Sequence, residues 1–202
     1  MKVLLTGFEP FGEHIVNPSK RLIESLPSEY QGNMLIKSIL PVDHQQAPRM
    51  LIKLLIDHQP NAVISFGLAS GRAKIAIERV AVNLMDFKIA DNSGVTIDNQ
   101  PIIEQGPAAY FSTLPIHGML TTLNQAGIPV ELSLTAGAYL CNQVFYLLMH
   151  QVASQNTKTQ AGFIHLPALP EQAASSEKPI PSMSLDQIIT TATLLIAQLD
   201  HC

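Results

Sequence analysis

Short apolar blocks alternate with longer stretches that carry an apolar stripe, and Gly, Pro or Asn close most of the junctions. Such alternation predicts an α/β fold. Residues 2–6 predict a first strand, ended by Gly7. Asn17 then precedes Pro18; asparagine caps helices and proline fits their first turn, so a helix is expected from there to about residue 26. A second strand is expected over 34–42, interrupted by Pro41, and a helix over 45–58 that puts Leu51, Leu54 and Leu55 on one face before Pro60 stops it. Residues 62–66 are a nearly continuous apolar run of the kind found in a strand covered on both faces, and Gly67 follows.

Residues 75–84 read as one further strand, whereas 91–104, rich in Asn, Asp, Gly and Pro, read as a hairpin or surface excursion. A helix over 116–126 ends at Gly127, a strand covers 130–134, and Val144, Leu148 and Val152 mark an amphipathic helix over 140–152. A last core strand spans 161–166 and a final helix 185–199, after a loop over 167–184. The sum is a single domain over 1–202, a three-layer α/β/α sandwich around a twisted, mixed, mostly parallel sheet.

Composition narrows the function. At 202 residues the chain suits one domain with a substantial core. Charged residues make up 14%, against about 25% in an average soluble domain, and mean hydropathy is +0.20. Twelve Lys and Arg against sixteen Asp and Glu leave a formal charge of -4, so no basic field exists for nucleic acid, and the chain is too apolar for disorder. The richest apolar run, 50–56, has Lys53 at its centre and falls far short of the ~20 residues of a membrane span. After Lys2 come only Val3, Leu4 and Leu5, too few for a signal-peptide core of about 7–15 residues. A soluble, cytoplasmic protein without a membrane partner is therefore expected. Cys141 and Cys202 do not resemble a disulfide framework. The charge deficit is best assigned to surface buried against other copies of the chain, which predicts a homo-oligomer.

Ligands of open α/β sheets gather beyond the carboxyl ends of the strands. The residues there are Phe8 and Phe11, the turn from Gly67 to Arg72, the turn from Thr135 to Gly137 with Cys141, and His165. Cys141 falls in the first turn of its helix, where unpaired N–H groups and the helix dipole favour a thiolate and offer donors to an oxyanion; it also reads as an ordinary packed cysteine. Cys202 reads as a mobile terminal thiol. His165 either bonds a backbone carbonyl or pairs with Cys141, since helix and strand are consecutive elements. Glu78, in an apolar strand, either orients that histidine or makes a structural ion pair with Arg79 or a lysine. The turn at 67–71 lacks the sequence of a phosphate loop, and no His-x-x-x-His or Cys-x-x-Cys suggests a metal.

Four segments resemble the pyroglutamyl-peptidase I (pyrrolidone-carboxylate peptidase) family of cysteine peptidases. They are Thr-Gly-Phe-Glu-Pro-Phe-Gly at 6–12 with Asn-Pro-Ser at 17–19, Glu-Arg-Val-Ala-Val-Asn at 78–83, Thr-Ala-Gly-Ala-Tyr-Leu-Cys-Asn at 135–142, and Phe-Ile-His-Leu-Pro-Ala-Leu-Pro-Glu-Gln at 163–172. The resemblance implies removal of N-terminal pyroglutamyl residues from peptides, with Cys141 as nucleophile, His165 as general base and then acid, and Glu78 orienting His165. It also implies no metal or cofactor, frequent homotetramers, and a lactam ring flanked by Phe8 and Phe11. Val42, Leu68, Lys88, Ile89, Tyr139 and Leu140 are implied as further substrate-binding positions. At three places the chain departs from many bacterial members: Leu68 stands for Gln, Val42 for Thr, and Lys-Ile-Ala at 88–90 for Arg-Ile-Pro. These departures leave two alternatives, the same triad acting on another N-acyl or lactam amide, and an inactive homologue that binds blocked N-termini.

Overall fold

The computed structural model describes residues 1–12, 15–155 and 158–199, and Cys202 lies outside them. The first half of the chain forms β1 (Lys2–Phe8), α1 (Pro18–Ser25), β2 (Glu29–Tyr30), β3 (Asn33–Leu40), α2 (Gln46–His58), β4 (Ala62–Leu68) and β5 (Ile75–Glu78). The second forms β6 (Val80–Val82), β7 (Ala109–Phe111), α3 (Ile116–Gln125), β8 (Val130–Ser133), α4 (Leu140–Ser154), β9 (Gln160–Leu166), α5 (Pro170–Ser175) and α6 (Leu185–Leu199). Asn17 caps α1 as expected, its side chain accepting from the Ser19 N–H at 3.0 Å.

Seven strands make one sheet in the order β2-β3-β1-β4-β9-β5-β8. β3, β1, β4 and β9 run parallel, whereas β5 is antiparallel to β9 and carries β8 parallel to itself. The sheet is therefore mixed and mostly parallel. One face packs on α1, α3 and α6 through Ile64, Phe66, Ile164 and Leu166; the other packs on α2 and α4 through Leu4, Val63, Ala161 and Phe163. Because both faces are covered, every residue of β4 is buried, which is why that strand is apolar but for Ser65, whose hydroxyl accepts from Thr6 at 2.9 Å.

Two expectations change, and the open choice over 91–104 is decided. The stretch 75–84 is two strands in two sheets: at the exposed Arg79 the chain leaves the central sheet, and β6 pairs with β7 in a separate ribbon. Residues 91–104 form an excursion with no strand pairing beyond an isolated bridge between Met85 and Gln100. The loop over 167–184 contains the short helix α5.

Candidate active site

His165 ends β9 between two neighbours, opposite Gly67 of β4 on one side and Ala76 of β5 on the other. Two residues along, Glu78 lies opposite Phe163, so Phe163, His165 and Glu78 share one face of the sheet. β5 and β8 point away from the rim where β1, β4 and β9 end. Glu78 therefore reaches His165 sideways across the strands, and the chain after β8 returns through the Thr135–Gly137 turn before Cys141 meets the rim.

The His165 ring donates from Nδ1 to Glu78 Oε1 at 2.8 Å. This bond puts the proton of the neutral ring on Nδ1 and leaves Nε2 as the acceptor. Both side chains are buried, Glu78 completely. The Phe163 ring, 4.9 Å from the imidazole between centroids, supports it from the core side. Glu78 does not pair with Arg79; its second partner is Arg72, whose Nη1 lies 3.2 Å from the same Oε1.

Cys141 is placed by α4 and by the absence of a side chain on β4. Asn142, fully buried beside it, binds β6 as a strand would: its Oδ1 accepts from the Val82 N–H at 3.0 Å, and its Nδ2 donates to the carbonyls of Val82 and Leu84 at 2.9 Å. That grip fixes the first turn of the helix. The sulfur then lies over Gly67, where a Cβ would come within 2.8 Å of Sγ. Gly67 and His165 are paired residues on adjacent strands, about 4.8 Å apart. Thiol and imidazole are thus brought to one point of the sheet, and both line one cavity.

The expectation of a thiolate favoured by the helix dipole does not hold for the isolated group. Burial, reinforced by the charge of Glu78, pushes the Cys141 thiol up to about 12, and the helix contributes only a smaller opposing effect through the N–H of Cys141. Desolvation outweighs the dipole because the sulfur sits against the sheet rather than in water. The resting sulfur is accordingly a thiol.

The cavity holds about 250 Å³, small against the roughly 300–1,000 Å³ of drug-sized sites, and suits a single end group. Phe8, Phe11, Val42, Leu68, Tyr139 and Leu140 all line it, so six of the eight expected binding positions converge there. Lys88 and Ile89 do not. Both are exposed, and the Lys88 ammonium donates to Asp86 at 2.8 Å, a bond that raises its pKa. Arg72, Asn17, Ala69, Ala136 and Gly137 complete the wall.

One side of the cavity is held by the excursion. Asn92 donates from Nδ2 to Glu9 Oε1 at 2.9 Å and to the Pro10 carbonyl at 3.0 Å, and its N–H donates to the Val42 carbonyl. The Tyr139 hydroxyl donates to the Ala90 carbonyl, and its ring sits 6.0 Å from Phe11 and 4.8 Å from Phe87. Asp91 anchors the segment, with both carboxylate oxygens engaged by Ser93, Val95 and His44. Asp43, His44 and Asp91 bring three potential metal ligands within 4.8 Å of one another. Their oxygens already accept protein hydrogen bonds, those of Asp43 from the first turn of α2, so the group acts as a clasp.

Asn142 and Asp91 are the residues that sequence reasoning missed, and Arg72 entered it only as the end of the rim turn, with no role of its own. Arg72 alone left a signal, a cation that with Lys74 sits in the turn leading into the strand of Glu78.

A family profile described as pyroglutamyl peptidase matches residues 1–200. The pyrrolidone-carboxylate peptidase of Thermococcus onnurineus (strain NA1) is 44% identical over 196 residues, 97% of each chain. That of Vibrio vulnificus (strain CMCP6) is 46% identical over 189 residues, 93% of this chain and 87% of the relative. The crystal structure of pyrrolidone carboxyl peptidase from the hyperthermophile Pyrococcus furiosus superimposes with a TM-score of 0.96 at 40% identity, covering 100% of this chain and 99% of its own. With the whole fold matched, and a cysteine and a glutamate-bonded histidine lining one small apolar cavity, this chain belongs to the pyroglutamyl peptidase family of cysteine peptidases.

Proposed function

We propose that the protein removes N-terminal pyroglutamyl residues from peptides, with Cys141 as nucleophile, His165 as general base and acid, and Glu78 orienting the imidazole. The observation that carries this reading is the Nδ1–Oε1 bond between His165 and Glu78, set beside a thiol that lines a cavity of about 250 Å³. Phe8, Phe11, Val42, Leu68, Tyr139 and Leu140 bind the substrate. A pyroglutamyl group offers no free amine to grip, so a mostly apolar wall with few polar groups suits it.

Sγ attacks the carbonyl carbon that joins the lactam to the next residue as His165 Nε2 takes the thiol proton. The imidazolium that forms is stabilised by Glu78. His165 then returns the proton to the leaving amine, the C–N bond breaks, and a thioester remains on Cys141. A water molecule, deprotonated by His165, attacks the thioester; the C–S bond breaks, pyroglutamate is freed, and His165 returns the proton to the Cys141 sulfur. Tyr139, at the N-cap of α4, makes no side-chain cap, so first-turn N–H groups of that helix are available to the oxyanion. Because the resting thiol is neutral, proton transfer accompanies the attack.

The chain acts as one domain without metal or cofactor, in the cytoplasm, as a homotetramer. Phe111 and Leu134, 67% and 71% exposed, support assembly, as does the low surface charge. No helix among the described residues is long and apolar enough to cross a membrane. Hydrolysis of a pyroglutamyl arylamide, lost in Cys141→Ser, tests the reading; an inactive wild-type protein overturns it.

A further inference from the structure

Arg72 lies outside the proposed triad but touches two of the segments that build it. One arm of its guanidinium, Nη1, reaches Glu78 Oε1 at 3.2 Å, and the other, Nη2, donates to the Thr135 carbonyl at 2.9 Å. Thr135 opens the turn whose Ala136 and Gly137 line the cavity and lead to Cys141. The arginine is itself held in a turn, its N–H bonded to the Ala69 carbonyl at 3.0 Å, and it lines the cavity with Cys141 and His165.

The chemistry of Glu78 makes this contact consequential. The carboxylate is fully buried in an apolar strand, and among the described residues its Oε2 has no hydrogen-bond partner. A buried carboxylate without a counter-charge is costly. His165 supplies that charge only while it holds the extra proton, and the neutral ring needed to accept the thiol proton does not. The other charged and titratable groups near this point are Cys141, which feels the charge of Glu78, and Glu131, whose carboxylate lies 3.9 Å from Arg72 and is 44% exposed; Arg79 is exposed.

We propose that Arg72 is a positioning residue that supplies Glu78 with a permanent counter-charge through both halves of the reaction and, through Thr135, ties the glutamate segment to the turn preceding the nucleophile. This rests on the peptidase reading for its meaning, but not for its measurement. Removing a fixed positive charge raises the proton affinity of every group nearby. Without Arg72 both Glu78 and the Cys141–His165 pair release protons less readily, so the acidic limb of any profile that needs neutral His165 moves to higher pH. Arginine and lysine separate the two roles, since lysine keeps the charge and loses the fork.

The test compares wild type, Arg72→Gln and Arg72→Lys by the pH dependence of Cys141 alkylation with iodoacetamide and of kcat/KM on a pyroglutamyl arylamide, with thermal melts as a folding control. Arg72→Gln should shift the acidic limb of both profiles up by about one unit, the low end of the effect of a neighbouring opposite charge. Arg72→Lys should keep the limb near wild type while lowering the rate. If Arg72→Gln does not fold, Arg72→Met removes the charge and keeps most of the stem. A limb unmoved in the neutral variants, or moved as far in Arg72→Lys, overturns the proposal. A shifted alkylation profile in a protein that does not cleave the arylamide overturns the peptidase reading and leaves Arg72 in its role.

Discussion

Gly67→Ala tests the placement of the nucleophile with one methyl group. Gly67 is buried in β4 opposite His165, and a Cβ there would stand 2.8 Å from Cys141 Sγ, 2.8 Å from Phe163 Cζ and 3.1 Å from Phe163 Cε1. Ordinary carbon contacts lie at about 3.5–4.0 Å, so both the sulfur and the ring must retreat by roughly 0.7–1.2 Å. Phe163 is fully buried between Phe8, Phe145 and His165, and a shift of its ring also moves the imidazole. Either movement misplaces a reacting group. A misplacement of about 1 Å costs on the order of 100-fold in rate, and overpacking a core costs about 1–3 kcal/mol. Arylamide hydrolysis should thus fall by about two orders of magnitude, while a melt, lowered by several degrees, still shows a cooperative transition. Gly71→Ala is the control, since a Cβ there meets nothing within 4 Å. Wild-type kcat/KM in Gly67→Ala would refute the placement of the sulfur over β4.

Three further outcomes are expected. Glu78→Gln removes the carboxylate charge and allows an amide N–H to face His165 Nδ1, so the tautomer is no longer fixed, and kcat should fall by roughly 10³–10⁴-fold with far less change in KM; equal kcat would refute the orienting role. In the free protein, absorbance at 240 nm relative to Cys141→Ser should show no thiolate step below about pH 8, because the thiol is pushed up; a step near pH 5 would reveal a preformed ion pair. Burial opposes ionisation of Asp91, but bonds from Ser93 and from the N–H groups of His44 and Val95 outweigh it and hold the carboxyl well below its usual range. Its folded pKa is depressed, so its contribution is complete above the unfolded value of about 3.9 and is lost as pH falls toward the folded one. Asp91→Asn should therefore cost about 2 kcal/mol at neutral pH by denaturant titration, with the gap closing below about pH 4.

What the chain reveals by itself depends on whether a physical signal is local. β4 and β9 are legible because strands covered on both faces must be largely apolar, and α1 is legible because Asn17 and Pro18 are chemically suited to its first turn. The division of 75–84 is not, since apolar periodicity carries no record of which strand is the partner and the break at Arg79 appears only as a change of sheet. The two-residue β2 and the three-residue β7 are too short to establish a period. At the site, Cys141, His165 and Glu78 are found from their residue types and their places at element ends. Arg72, Asn142 and Asp91 act through hydrogen bonds spanning from a few to some sixty residues, and no pattern in the sequence announces those pairings. The antiparallel course of β5 is equally silent, and it decides the side from which Glu78 meets the histidine.

The central claim is that Cys141, served by His165 and Glu78, opens the amide next to an N-terminal pyroglutamyl ring. Wild type and Cys141→Ser incubated with a pyroglutamyl arylamide at neutral pH test it most directly. The account predicts arylamine release by the wild type, and none by the variant although it melts like the wild type. No release by folded wild-type protein, or equal release by the serine variant, would contradict it.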